Sequence, residues 1–166
     1  RTGWRRTGEA EVLLYAQAAP DDLDLEAIAE HYPRRGQTRT QQQDHLRFGP
    51  RWDVVDRVQY GDDGAIAWLH LDDEFGADLD TVGLHPALLD LATGWAMGLI
   101  EGYRPDHLWA PVSYGAVWVH RPLPAEIRSW VRSAGENRAD SPFARFDVTL
   151  TDPSGAVCVE VEGFAI

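Results

Sequence analysis

The sequence holds a single cysteine, Cys158, among 166 residues. An internal disulfide is thereby excluded, and so is any metal site built from several thiolates. Cys158 lies in an alternating run, where a small, buried, inert side chain is expected. Long hydrophobic runs are also lacking: no window approaches the roughly 18 uncharged apolar residues of a membrane span. The opening "RTGWRRTGEAEVLLYA" has neither the apolar h-region nor the cleavage site of a signal peptide. Both absences point to a soluble, cytoplasmic protein with no membrane partner. Positive charge is scarce as well, with 15 Lys and Arg against 27 Asp and Glu and a net charge of −12. Phosphate backbones require a basic face, so nucleic acid is disfavoured as a partner. No internal repeat is present. What remains, 44% hydrophobic and 25% charged residues, is the composition of one globular domain able to bury a core.

Two groups of arginines interrupt the acidic balance: Arg34, Arg35 and Arg39 in a Gln-rich stretch, and Arg121, Arg128 and Arg132 farther on. Either could present a local patch to an acidic partner, although charge runs are usually solvated surface. Residues 9–18 read as a strand of imperfect alternation. In "PDDLDLEAIAEHY", acidic residues precede Leu25, Ile28 and Ala29 at helical spacing, and Pro33 closes the helix. Residues 34–45 carry no apolar periodicity and read as a loop. Gly49-Pro50 then makes a turn before a strand, "WDVVDRVQY". "AIAWLHL" suits a strand covered on both faces, with His70 in a satisfied structural role. Residues 110–124 and 126–135 read as two further strands. In the terminal segment Phe146, Val148 and Leu150 alternate, "DPSG" turns the chain, and Val157, Val159 and Val161 alternate back as a hairpin.

Between these strands lies "GLHPALLDLATGWAMGLIEG". Pro86 fits the first helical position, and Leu88, Leu91, Ala92, Trp95 and Leu99 follow at helical spacing. Leu89, Ala96, Met97 and Ile100 fill much of the remaining circumference, so a long buried helix running to Ile100 is predicted. Asp90 sits in its second turn, and Gly94 stands one turn later on the same face. A helix-interior Gly costs roughly 1 kcal/mol relative to Ala, and an unpaired buried carboxyl costs more. One reading is functional: Gly94 leaves room for a ligand, and burial raises the Asp90 pKa so that it stays a proton donor, against the opposing pull of the helix N-terminus. The other is structural: Asp90 bonds a neighbouring strand and Gly94 permits close packing. One long apolar helix among five to seven strands hides its surface only if an antiparallel sheet curls around it. That is an α+β hotdog fold.

"GLHPALLDLATG" resembles the helix motif of polyketide synthase dehydratase domains, whose HPALLD segment carries the catalytic aspartate. "LRFGPRW" resembles the family's Tyr-Gly-Pro-Phe type element, "LWAPVSYGAVWVHRPLP" its strand after the helix, and "GAVCVEVEGFAI" its terminal strand. The resemblance runs from about residue 45 to residue 166. It implies the second half of a double hotdog, with residues 1–44 forming the end of the first hotdog and a connection, and 45–166 the C-terminal hotdog. It also implies dehydration of a β-hydroxyacyl thioester, delivered on the phosphopantetheine arm of an acyl carrier protein, with no other cofactor and no metal. Asp90 is the implied acid. Gly49, Pro50, Trp52, His85, Pro86, Gly94, Met97 and Tyr114 are the expected substrate contacts. The family's base histidine sits in a His-x-x-x-Gly-x-x-x-x-Pro motif that this sequence does not contain, which implies a separate N-terminal half or another synthase domain as partner. The family's Gln or His four residues after the aspartate is here Gly94, and its tyrosines before the strand are here Leu46 and Phe48. Isomerisation, cyclisation or branching in the same pocket, or acyl binding without catalysis, are the alternatives. A dimer of single hotdogs follows only by family analogy.

Overall fold

The computed structural model describes residues 7–14, 18–38, 46–106 and 108–166. Among the described residues, two α-helices, α1 (Leu25–His31) and α2 (Pro86–Gly94), accompany seven strands. These are β1 (Arg34–Arg35), β2 (Val55–Tyr60), β3 (Gly64–His70), β4 (Ala116–Val119), β5 (Glu126–Ser133), β6 (Arg145–Thr151) and β7 (Val157–Ala165). The strands form one antiparallel sheet in the order β1-β2-β3-β5-β6-β7-β4.

Period-two alternation sorts the side chains between the two faces. Ala65, Ala67 and Leu69 of β3 stand opposite Val131, Ser129 and Ile127 of β5, and all six are buried. Phe146, Val148 and Leu150 of β6 and Val159 and Val161 of β7 continue the layer into the core with Leu88, Leu91 and Ala92 of α2. On the other face Arg57, Trp68 and Arg128 lie in register across three strands, with the Arg57 guanidinium 3.4 Å from the Trp68 ring centroid.

Residues 23–35 attach to this same sheet. Asp24 caps α1 by accepting from the Ala27 amide at 3.0 Å. Gln59 on β2 donates to the Ala29 and Tyr32 carbonyls, supplying partners to the end of the helix. Leu23 N–H donates to the Gly155 carbonyl at the β6–β7 turn, tying the segment to the far side of the sheet.

Several expectations change. Residues 9–14 form no strand, and Val12, Leu13 and Leu14 are exposed; residues 15–17 lie outside the described residues. The stretch taken as loop from residue 34 begins with β1, which pairs with Gln59 and Tyr60 on the free edge of β2. Arg39 and the rest of 39–45 lie outside the described residues. His70 ends β3 with its side chain exposed, so it has no buried structural role. The helix predicted to reach Ile100 stops at Gly94 after nine residues, followed by a 3-10 turn over Met97–Leu99. Apolar spacing continues past Gly94, but Gly94 and Gly98 weaken helical propagation, and the sheet supplies partners for the last carbonyls. Cys158 is buried as expected, and burial pushes its thiol up.

Gly155 has φ +98°, and a Cβ there would collide with the Leu23 carbonyl. Gly155→Ala should cost about 1–3 kcal/mol, read as a lowered urea midpoint. Gly76→Ala, where a Cβ meets nothing within 4 Å, should not destabilise.

Candidate active site around Asp90

Pro86 opens α2 at a position where a missing N–H costs nothing, and Ala87, Leu88, Leu91, Ala92 and Thr93 are its buried residues. The sheet then fixes its end. Ser129 on β5 donates to the Ala92 carbonyl at 2.6 Å and accepts from the Trp95 indole at 3.1 Å. Tyr60 on β2 donates to the Trp95 carbonyl at 3.2 Å, and burial pushes its phenol up to about 12. These contacts seat one side of α2 on the sheet and turn Asp90 outward.

Asp90 is therefore exposed, not buried as expected. The apolar side of the helix faces the sheet, and the residue at position 90 falls outside it. The Trp52 indole N–H donates to Asp90 Oδ2 at 3.0 Å. Trp52 ends a 3-10 turn, Pro50–Trp52, and stacks on Phe48 with ring centroids 6.3 Å apart. Phe48, Gly49, Pro50 and Trp52 line a groove of about 330 Å³ together with Leu46 and Val55. Tyr114 feels the same carboxylate: burial raises its phenol pKa, a hydrogen bond with Thr93 opposes the rise, and the charge of Asp90 adds to it. Thr93 Oγ1 itself donates to the Leu89 and Asp90 carbonyls, each at 3.1 Å. From Tyr114 the chain runs into β4, where Val117 and Val119 pair with buried Val161 and Val159 yet remain 45% and 54% exposed. An uncovered apolar strip thus continues from the residues beside Asp90.

A second cluster braces the same elements. Arg51 Nε donates to Asp78 Oδ2 at 2.7 Å, and His85 Nε2 lies 3.3 Å from the same oxygen. The hydrogen bond from Arg51, followed by that from His85, holds the Asp78 carboxyl below the usual carboxylate range. His85 is 2% exposed, and its Nδ1 is buried with no protein partner.

Of the expected contacts, Trp52 and Tyr114 come together at Asp90, and Gly49 and Pro50 line the adjoining groove. Gly94 is half-buried, with nothing within 4 Å of where a Cβ would stand. Pro86 is exposed at the start of α2. His85 and Met97 are buried inside the chain, and Met97 packs in the core cluster. Sequence reasoning passed over Arg51 and Asp78. Asp78 lies in an acidic run with no motif of its own, and no spacing rule links it to Arg51, 27 residues away. Among the described residues no group of three or more His, Cys, Asp or Glu could hold a metal ion. No helix of the described residues is long and apolar enough to cross a membrane.

A family model described as "Polyketide synthase dehydratase N-terminal domain" matches residues 20–166. The chain belongs to the polyketide synthase dehydratase family. It is 27% identical over 123 residues to polyketide synthase PksM of Bacillus subtilis (strain 168), a match covering 71% of this chain and 3% of the relative. The structure superposes on a trans-AT polyketide synthase dehydratase domain from Brevibacillus brevis with a TM-score of 0.79 and 24% identity, over 93% of this chain and 55% of that one. It superposes on an inactive mutant of the CurK dehydratase, in which an aspartate is replaced by asparagine, with a TM-score of 0.71 and 19% identity, over 89% of this chain and 53% of that one. This dehydratase-family chain therefore has the hotdog fold and spans about half the length of those solved domains.

Because the folded-state pKa of Asp78 is lowered, its contribution to stability is present above the ordinary value of 3.8 and is lost as the pH falls through the lowered value. Asp78→Asn should melt at a lower temperature than the parent at about pH 7, with the gap closing as the pH drops below 3.8. Thermal melts across that range check it, and a gap that stays constant counts against this role.

Proposed function

We propose that this chain supplies the Asp90-bearing half of a dehydratase that removes water from a β-hydroxyacyl thioester carried on an acyl carrier protein. The observation that carries the reading is the Asp90 carboxylate: exposed on α2, hydrogen-bonded by Trp52, close to Tyr114, and bordered by a groove and an uncovered apolar strip. In the related CurK dehydratase, an Asp-to-Asn mutant is described as inactive.

In this reaction a base takes the acidic proton from the α-carbon, and the freed electron pair forms the Cα=Cβ bond. The Cβ–O bond breaks as Asp90, in its protonated form, gives its proton to the departing hydroxyl, which leaves as water. The base is a histidine of a second hotdog, or of another synthase domain, that packs over the strip at Val117 and Val119. Gly49, Pro50, Trp52, Gly94 and Tyr114 border the path of the acyl chain and its phosphopantetheine arm. The working setting is the cytoplasmic synthase.

One observation favours a second reading. The open space at Gly94 leaves the Asp90 carboxylate without a side-chain partner from the next turn of α2, and such a carboxylate suits double-bond migration, cyclisation or branching as well. Presenting a β-hydroxyacyl carrier-protein thioester to the intact domain and weighing the product separates the outcomes. Loss of water is expected, with Asp90→Asn lowering the rate by about 100-fold or more. A rearranged product of unchanged mass would support the second reading, and unchanged substrate with measurable binding would leave an acyl-binding hotdog.

A further inference from the structure

We propose that Trp52 is the positioning residue of Asp90, and that Asp78 anchors both partners of that contact. The inference rests on the dehydratase reading only for its effect on turnover. A helix most readily steadies one of its own side chains from position i+4. Here that position is Gly94, which has no side chain and stands in open space. The donor comes instead from outside the helix: the Trp52 indole N–H, 3.0 Å from Asp90 Oδ2.

An indole has one N–H and accepts nothing, so it fixes one carboxylate oxygen and leaves Oδ1 for a substrate hydroxyl. Its ring is held by the stack on Phe48 and by the turn over Pro50–Trp52. Arg51, beside Trp52 in that turn, and His85, five positions before Asp90, both meet Asp78 Oδ2. The contacts close a ring: Trp52 to Arg51 along the chain, to Asp78, to His85, along α2 to Asp90, and back to Trp52. Spacing between indole and carboxylate is thus set by the brace at Asp78.

Two measurements test this. In the 15N-labelled chain, the Trp52 indole signal is the one lost in Trp52→Phe. In Asp90→Ala it should move upfield and exchange with solvent about tenfold faster, while the other indole signals stay in place. A Trp52 signal that does not move overturns the proposal, whatever reaction the protein performs. In the intact synthase domain, Trp52→Phe keeps the ring and removes the N–H. It should lower kcat by about 10- to 100-fold with KM within about twofold, and adding Gly94→Gln, whose amide reaches from i+4, should recover most of the loss. Unchanged kcat in Trp52→Phe, or a loss that Gly94→Gln does not recover, overturns the positioning role. If Asp90→Asn leaves dehydration intact, the proposed reaction falls, and the indole signal still decides whether Trp52 holds Asp90.

Discussion

The hydroxyl of Ser129 is the contact on which the geometry of the site depends. It donates to the Ala92 carbonyl and accepts from the Trp95 indole, so one buried side chain both ends α2 and fixes its rotation against β5. A helix of nine residues has too few turns to be stable by propensity and takes its conformation from packing. With Leu88, Leu91 and Ala92 pressed on the sheet and the last carbonyls taken by Ser129 and Tyr60, α2 has one orientation available. Asp90 points outward as a consequence.

The acidic character of the chain takes on local meaning at Asp78. One of 27 carboxylates, it draws Arg51 and His85 to a single oxygen, and so ties the turn before β2 to the start of α2. The Arg51 guanidinium also lies 4.4 Å from the Phe75 ring centroid, which seats the brace on the core cluster. An acidic side chain thereby becomes a spacer between the turn before β2 and the start of α2.

Apolar exposure is distributed unevenly. β7 hides Val159 and Val161, whereas their partners on β4, Val119 and Val117, stay uncovered although they share that face of the sheet. α2 lies over β3 and β5 and leaves this end of the sheet open. The solved domains that this fold matches are nearly twice as long as the matched part.

Local order was legible in the residues themselves. Strand-like runs located β2, β3, β5 and the β6–β7 hairpin, acidic residues before Leu25 and Pro33 after it bracketed α1, and Pro86 marked the first residue of α2, because periodicity and capping act within a few residues. The site was legible only through family resemblance: "HPALLD" singled out Asp90, and "FGPRW" holds Trp52, which donates to it. Sequence left undecided where α2 stops, since apolar spacing runs past Gly94 and the donors that take its last carbonyls, Ser129 and Tyr60, lie 37 and 35 residues from their acceptors. It also left undecided which way Asp90 faces, what holds it, and that Asp78 joins Arg51 to His85. Those are contacts between segments distant in the chain, and hydrogen bonds across such distances are set by the packing of a sheet on a helix, which no local pattern encodes.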